Sequence, residues 1–281
     1  MGDPFVGSVA VANGELLKSA LRTKYTRVFR DIYVSPGTEL TPEIRAHAAW
    51  LWSRRRGVIA GKSASALYGA KWVDAEAPVE LIHSNRNPLV GLKVRTEQID
   101  DDEIVRIGAL PVTSLARTAL DIGCWYPRDE AVAALDALAR ATDLKAADVE
   151  LLVQRYARRR GIAGARTALD LMDGGSQSPK ESWLRLVIID GGIARPQTQI
   201  PVCDGPGNPF AYVDMGWEDI KVGVEYDGEQ HRLDSWQYGW DLRRADRLER
   251  CGWINVRVAA GERSGSILRR VHAARACRLS R

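Results

Sequence analysis

The 281-residue sequence is short of cysteine, histidine, lysine and phenylalanine, and it has no long apolar run. Cys124, Cys203, Cys251 and Cys277 lie far apart, with no C-x-x-C pair and no histidine at ligand spacing. That spacing excludes a disulfide framework and argues against a zinc site. Nowhere do about 18 apolar residues follow one another, the length a membrane-spanning helix needs. The first twenty residues lack the basic stretch and apolar segment of a secretion signal. The expectation is a reduced, cytoplasmic protein that does not enter a membrane. Gly61-Lys62-Ser63 matches the end of a phosphate-binding loop, but Arg56 stands where the first glycine belongs, and nucleotide binding is set aside on that ground.

What is present is an ordinary globular composition, 45% hydrophobic and 27% charged. The length suits about two domains of roughly 100 to 200 residues. A net charge of +4 is too mild to coat nucleic acid by bulk attraction. Of the 40 cations, eight are lysines and the rest arginines, whose planar fork suits bidentate phosphate contacts.

Along the chain, residues 26–34 alternate apolar and polar side chains like a strand running into the turn Ser35-Pro36-Gly37. Thr41 and Pro42 open a helix that closes at Arg54-Arg55-Arg56, with Gly57 placed to take the left-handed cap. Residues 58–60, 79–83, 92–96 and 103–107 read as strands, and 63–68 and 113–122 as short helices. From 128 to 172 the apolar period becomes helical, and Asp173-Gly174-Gly175-Ser176 breaks it. The last hundred residues predict helix, three strands, helix, strand, helix. The expected class is therefore α/β (α+β): a smaller N-terminal α+β domain over 1–122, a helical connector over 123–175, and a C-terminal mixed sheet flanked by helices over 176–281.

Chemistry-bearing residues gather in that last segment. Asp214 ends one apolar strand and Glu225 another, with Asp227 and His231 just beyond. Equal parity puts Lys221, Glu225 and Asp227 on one strand face, and a turn at Trp217-Glu218-Asp219 would bring Asp214 against Glu225. Converging carboxylates repel unless a cation joins them, and hard oxygen ligands suit Mg²⁺ or Mn²⁺. Residues 211–231 carry a net charge of −5, whereas 241–281 carry +7, all of whose cations are arginines. Arg243, Arg247 and Arg250 fall at i, i+4 and i+7 on one helix face, as a phosphate track or a solvated face would. Glu181 sits three residues after Ser178, the spacing of a capping box, which is a structural role that a ligand role can accompany.

The strings S-P-K-E, T-Q-I-P-V, Y-V-D-M-G-W, V-E-Y-D-G-E-Q-H, D-L-R-R-A-D-R-L and G-W-I-N-V-R-V, in that order over about 176–278, resemble the very-short-patch-repair-like (Vsr-like) branch of the PD-(D/E)XK nucleases. The resemblance implies a restriction-endonuclease-like fold and Mg²⁺- or Mn²⁺-dependent cleavage of DNA, duplex rather than single-stranded. It makes Glu181, Asp214 and Glu225 the metal ligands and adds Asp227 and His231 to the catalytic site. Asp227 occupies the place of the superfamily's lysine, so Lys221 or His231 would assist proton transfer. The strings R-V-F-R-D-I-Y-V, G-V-I-A-G-K-S-A-S-A-L-Y-G and L-P-V-T-S-L-A-R-T-A-L-D, over about 16–122, resemble the AbiEi-type antitoxin and regulator family. That second resemblance implies an alternative function, a DNA-binding regulator or antitoxin whose nuclease fold is silent, and a protein partner from a toxin-antitoxin or repair system.

Overall fold

The computed structural model describes residues 2–84, 89–228 and 235–280, with the side chains of 235–242 outside the description. The chain divides into two compact units, Met1–Met172 and Asp173–Arg281, parted at the Asp173-Gly174-Gly175 break. Both mix helices with sheets, so the α+β class holds.

The first unit begins with β1 (Phe5–Val6), α1 (Gly7–Ala12), α2 (Lys18–Lys24), β2 (Thr26–Phe29) and β3 (Ile32–Val34). The stretch 26–34, expected as one strand, is a tight hairpin in which Phe29 faces Ile32. Asp31 turns the chain at a φ of 65°. Its carboxylate accepts the Ser8 amide at 2.9 Å at the start of α1. The turn carries no glycine or proline to mark it, which is why the stretch reads as one strand. These strands form an antiparallel sheet in the order β1-β3-β2.

Helix α3 (Pro42–Trp52) starts as the sequence indicates, with the Thr41 hydroxyl accepting the Ile44 amide. Its exit differs. Arg54 and Arg55 take the left-handed conformation at φ 56° and 61°. Gly57 is needed for room instead, because a Cβ there would come within 2.6 Å of Leu81. A five-stranded mixed sheet follows, ordered β6-β5-β4-β8-β7, from β4 (Val58–Ile59), β5 (Val79–Ile82), β6 (Leu92–Arg95), β7 (Ile104–Ile107) and β8 (Leu110–Thr113), with α4 (Gly61–Leu67) between β4 and β5. Its core includes Ile59, Leu81 and Val112, each buried to 0% exposure, worth about 1.5–3 kcal/mol apiece.

The helices read as a connector belong to this unit. Helices α6 (Arg128–Thr142), α7 (Ala146–Arg155) and α8 (Ile162–Leu171) pack around α5 (Leu115–Trp125). The expected boundary after residue 122 therefore falls inside a helix. A Cβ on Gly123 would lie 2.8 Å from the Ala165 backbone, so α5 and α8 touch main chain to main chain.

The second unit has the expected order: α9 (Pro179–Asp190), β9 (Gln197–Val202), β10 (Ala211–Trp217), β11 (Val222–Asp227), α10 (Ser235–Arg250), β12 (Ile254–Ala259) and α11 (Ser264–Leu279). Its sheet runs β12-β11-β10-β9, antiparallel except for β11 and β12, which are parallel and joined through α10. Leu184 and Ile188 of α9 and Ile267 and Val271 of α11 pack on Val222, Val224, Val256 and Val258. A second cluster joins Leu248 of α10 and Trp253 to Ile200, Val202, Ala211 and Val213.

Candidate functional site

The site grows out of an irregularity in β10. In a regular strand residues 211, 213, 215 and 217 share one face. Here Ala211 and Val213 pack in the core with Leu248, whereas Met215 and Trp217 pack in the core with Leu184. The strand changes face at Asp214. Opposite on β9, Val213 pairs with Ile200 and Met215 with Thr198, while Gln199 between them sits at a φ of 49°, a sparsely populated and costly conformation for a residue with a side chain. On the other side the β10–β11 rungs stop at Met215 and Val224. The Asp214 carboxylate then replaces a backbone acceptor, taking the Tyr226 amide at 3.0 Å.

One residue beyond the last rung stands Glu225, only 7% exposed. Arg244 of α10 forks onto both its oxygens and also donates to the Tyr212 carbonyl at 2.7 Å. Asn255 of β12 donates to Glu225 at 2.6 Å, and the Asn255 Oδ1 is buried with no hydrogen-bond partner. Glu181 is tied to the start of α9, accepting the Gln177 amide at 2.8 Å and the Ser178 hydroxyl at 3.0 Å, while Ser178 Oγ accepts the Glu181 amide. The capping role is therefore real, and the same carboxylate acts on Asp214. Burial first, then the negative charges of Glu181 and Glu225, push the Asp214 carboxyl up to about 7. The charges of Glu181 and Glu225 are thus both felt at Asp214, where the strand breaks.

Asp227 closes β11 beside Arg257, 3.4 Å away. Lys221 is not on the strand face with Glu225: it lies in the turn before β11 at a φ of 50°, and its amine donates to the Cys251 carbonyl at 3.0 Å. The parity argument fails there because the strand begins only at Val222. His231 lies outside the described residues. Arg243 and Arg250 are exposed, whereas Arg247 is paired with Asp204 and lies 4.1 Å over the Phe210 ring. The arginine at the site is Arg244, which the i, i+4, i+7 pattern passed over. A signal was present: Arg244 lies four residues before Leu248, on the helix face that packs against the sheet.

Among the described residues, the trio of acids whose ligand atoms all lie within 4.8 Å of one another is Asp100, Asp102 and Glu103 in the first unit; Glu181, Asp214 and Glu225 are not drawn that close. Arg155 already fills the Asp100 trio, donating to Asp102 at 3.0 and 2.8 Å and to Glu103 at 2.8 Å.

No family model matches the chain, and no solved structure matches it. Two uncharacterized proteins from two strains of Mycobacterium tuberculosis are each 29% identical to it over 259 residues, 90% of this chain and 89% of theirs. The similarity runs through both units. No helix among the described residues is long and apolar enough to cross a membrane.

Proposed function

We propose that the Asp173–Arg281 unit is a metal-dependent endonuclease of the Vsr-like PD-(D/E)XK kind, acting on DNA. The observation that carries this reading is Asp214, buried beside Glu181 and Glu225 so that its carboxyl is pushed up to about 7. Gathering acids against burial and mutual repulsion raises the energy of the metal-free site, and a divalent cation relieves it. The donor set is all carboxylate oxygen, which fits Mg²⁺ or Mn²⁺. Asp214 and Glu225, with Glu181 swung from its cap, would hold the ion. Bound there, such a metal supplies an activated water and neutralises a phosphate.

The chain's own groups have defined parts. Burial makes Asp214 hold its proton more tightly than a free carboxylate does, and a bound cation would displace that proton. Tyr226 fixes its orientation through the backbone amide, and Asn255 fixes Glu225. Exposed Arg243 and Arg250 offer phosphate contacts. His231 keeps the acid/base role that its place in the E-x-D-G-x-x-H segment suggests. Four free thiols agree with a reduced, cytoplasmic setting. The AbiEi-like resemblance of the first unit, with work in repair or defence and a protein partner there, belongs to the same proposal.

The test is to incubate the purified protein with plasmid, nicked, mismatched and single-stranded DNA and Mn²⁺, beside Asp214→Ala and Glu225→Ala. Cleavage by the wild type that both variants lose supports the reading. Cleavage that persists equally in the variants, or none at all, sinks it.

A second reading has one specific observation in its favour: Arg244 already neutralises Glu225, as in a fold that has no use for metal. A silent nuclease fold serving as a DNA-binding regulator or antitoxin would bind DNA with a steep salt dependence. Mobility shifts showing such binding, with no Mn²⁺ uptake by calorimetry, would identify it.

A further inference from the structure

Glu225 is nearly saturated by its own protein. Its two oxygens have about four acceptor positions. Arg244 takes one on each oxygen and Asn255 takes a third. The guanidinium also supplies the positive charge that a metal would bring. Three carboxylates crowd the site, yet they stay apart: Glu181 is turned to the α9 cap, and Glu225 is turned to Arg244. Resting on the metal-site reading above, we propose that Arg244 is a latch which competes with the divalent cation for Glu225, so that the metal-free site is held closed and loads only when the fork lets go.

Three features of the site make the latch releasable. The Arg244 side chain is 21% exposed, so it has a route to water, while the Glu225 side chain is 9% exposed. Its second acceptor, the Tyr212 carbonyl, belongs to a residue of β10 that is 53% exposed. A guanidinium fork released from a carboxylate fits a phosphate equally well, so a nucleic-acid backbone is an acceptor that would favour the unlatched state. Arg244 is here a positioning and gating residue; it need not touch the reacting atoms.

The experiment is a Mn²⁺ titration of the full chain, read by the electron paramagnetic resonance signal of free Mn²⁺ and by calorimetry. The wild type is compared with Arg244→Gln, Arg244→Lys and Asp214→Asn, and with Asp214→Asn combined with Arg244→Gln. Removing a competing charge-assisted fork should tighten Mn²⁺ by about tenfold or more in Arg244→Gln. Arg244→Lys, which keeps charge without the fork, should fall between, and it decides the matter if Arg244→Gln does not fold. Asp214→Asn should abolish binding in either background. An arginine that merely supports the structure would loosen Mn²⁺ when removed. Affinity that is unchanged or weaker in both Arg244 variants, while wild-type binding still depends on Asp214, overturns the latch and leaves the metal site standing. Mn²⁺ uptake that ignores Asp214→Asn overturns the metal site and the latch with it.

Discussion

The Asp214 carboxylate accepts the Tyr226 amide at 3.0 Å, doing for the sheet what a backbone carbonyl does on every regular rung. That substitution costs the ladder little, because the amide stays paired. It holds a carboxylate inside the protein at the first position past the last β10–β11 rung, as Glu225 is on β11, with its second oxygen free of the ladder. A strand break that stores charge in this way is the feature from which the expected behaviour of the protein follows.

The metal-free protein should lose stability as pH rises. The Asp214 carboxyl lies at 3.8 by default and at about 7 when folded. Between those values the native state binds a proton that the unfolded state has released, so this group stabilises the fold fully below about 4 and stops doing so as pH passes 7. Asp214→Asn keeps an oxygen acceptor for Tyr226 and cannot ionise. In chemical denaturation without metal, its advantage over the wild type should be small at pH 4 and grow to at most about 4 kcal/mol at pH 8. A difference independent of pH would contradict the placement of this carboxyl.

Glu181→Gln separates capping from charge. Glutamine serves at the third position of a capping box as glutamate does, so stability should change by less than about 0.5 kcal/mol. The negative charge beside Asp214 is lost, and the Asp214 carboxyl should titrate at lower pH, seen by carbon NMR of the side chain. Glu181→Ala, by contrast, should cost about 1 kcal/mol.

Lys221→Ala should leave Mn²⁺-dependent cleavage within about twofold of wild type. Its amine reaches a carbonyl at the end of α10, and stability should fall by only about 1 kcal/mol for that one hydrogen bond. A collapse of cleavage without loss of folding would restore a catalytic part for this lysine.

Arg117→Ala should destabilise the first unit by about 3–5 kcal/mol in urea unfolding. The guanidinium is 0% exposed and pairs with Glu103 and Asp121, themselves 1% and 0% exposed. Its loss takes one of two cationic partners from each of these interior carboxylates, leaving Glu103 with Arg155 and Asp121 with Arg159. Arg155→Ala, on an exposed edge of the same network, should cost less than about 1 kcal/mol.

Local signals carried much of this architecture. Thr41-Pro42 and Ser178-Pro179 mark helix starts because a capping oxygen and a proline at the first turn act within four residues. Asp173-Gly174-Gly175 marks the division between units for an equally local reason. The misreadings share a cause as well. Asp31, Arg54 and Arg55 all take the left-handed conformation that composition assigns to glycine, so neither the hairpin turn nor the exit of α3 falls where the sequence marks it.

At the site, the acids themselves were legible in the sequence: a charge at the edge of an apolar run is expensive, and Glu181, Asp214 and Glu225 each carry that mark or a capping signature. Their arrangement was not. Parity along a strand presumes that the strand is regular, and β10 changes face at Asp214 while β11 begins only after Lys221. Arg244 became visible through the helix face that packs on the sheet, which depends on where Leu248 is buried and on no spacing among arginines. Residue chemistry and element starts are set by neighbours in sequence, so the chain alone determined them. Which donor meets which carboxylate is set by strand register and helix docking between residues 19 and 30 positions apart, and only the tertiary structure decided it.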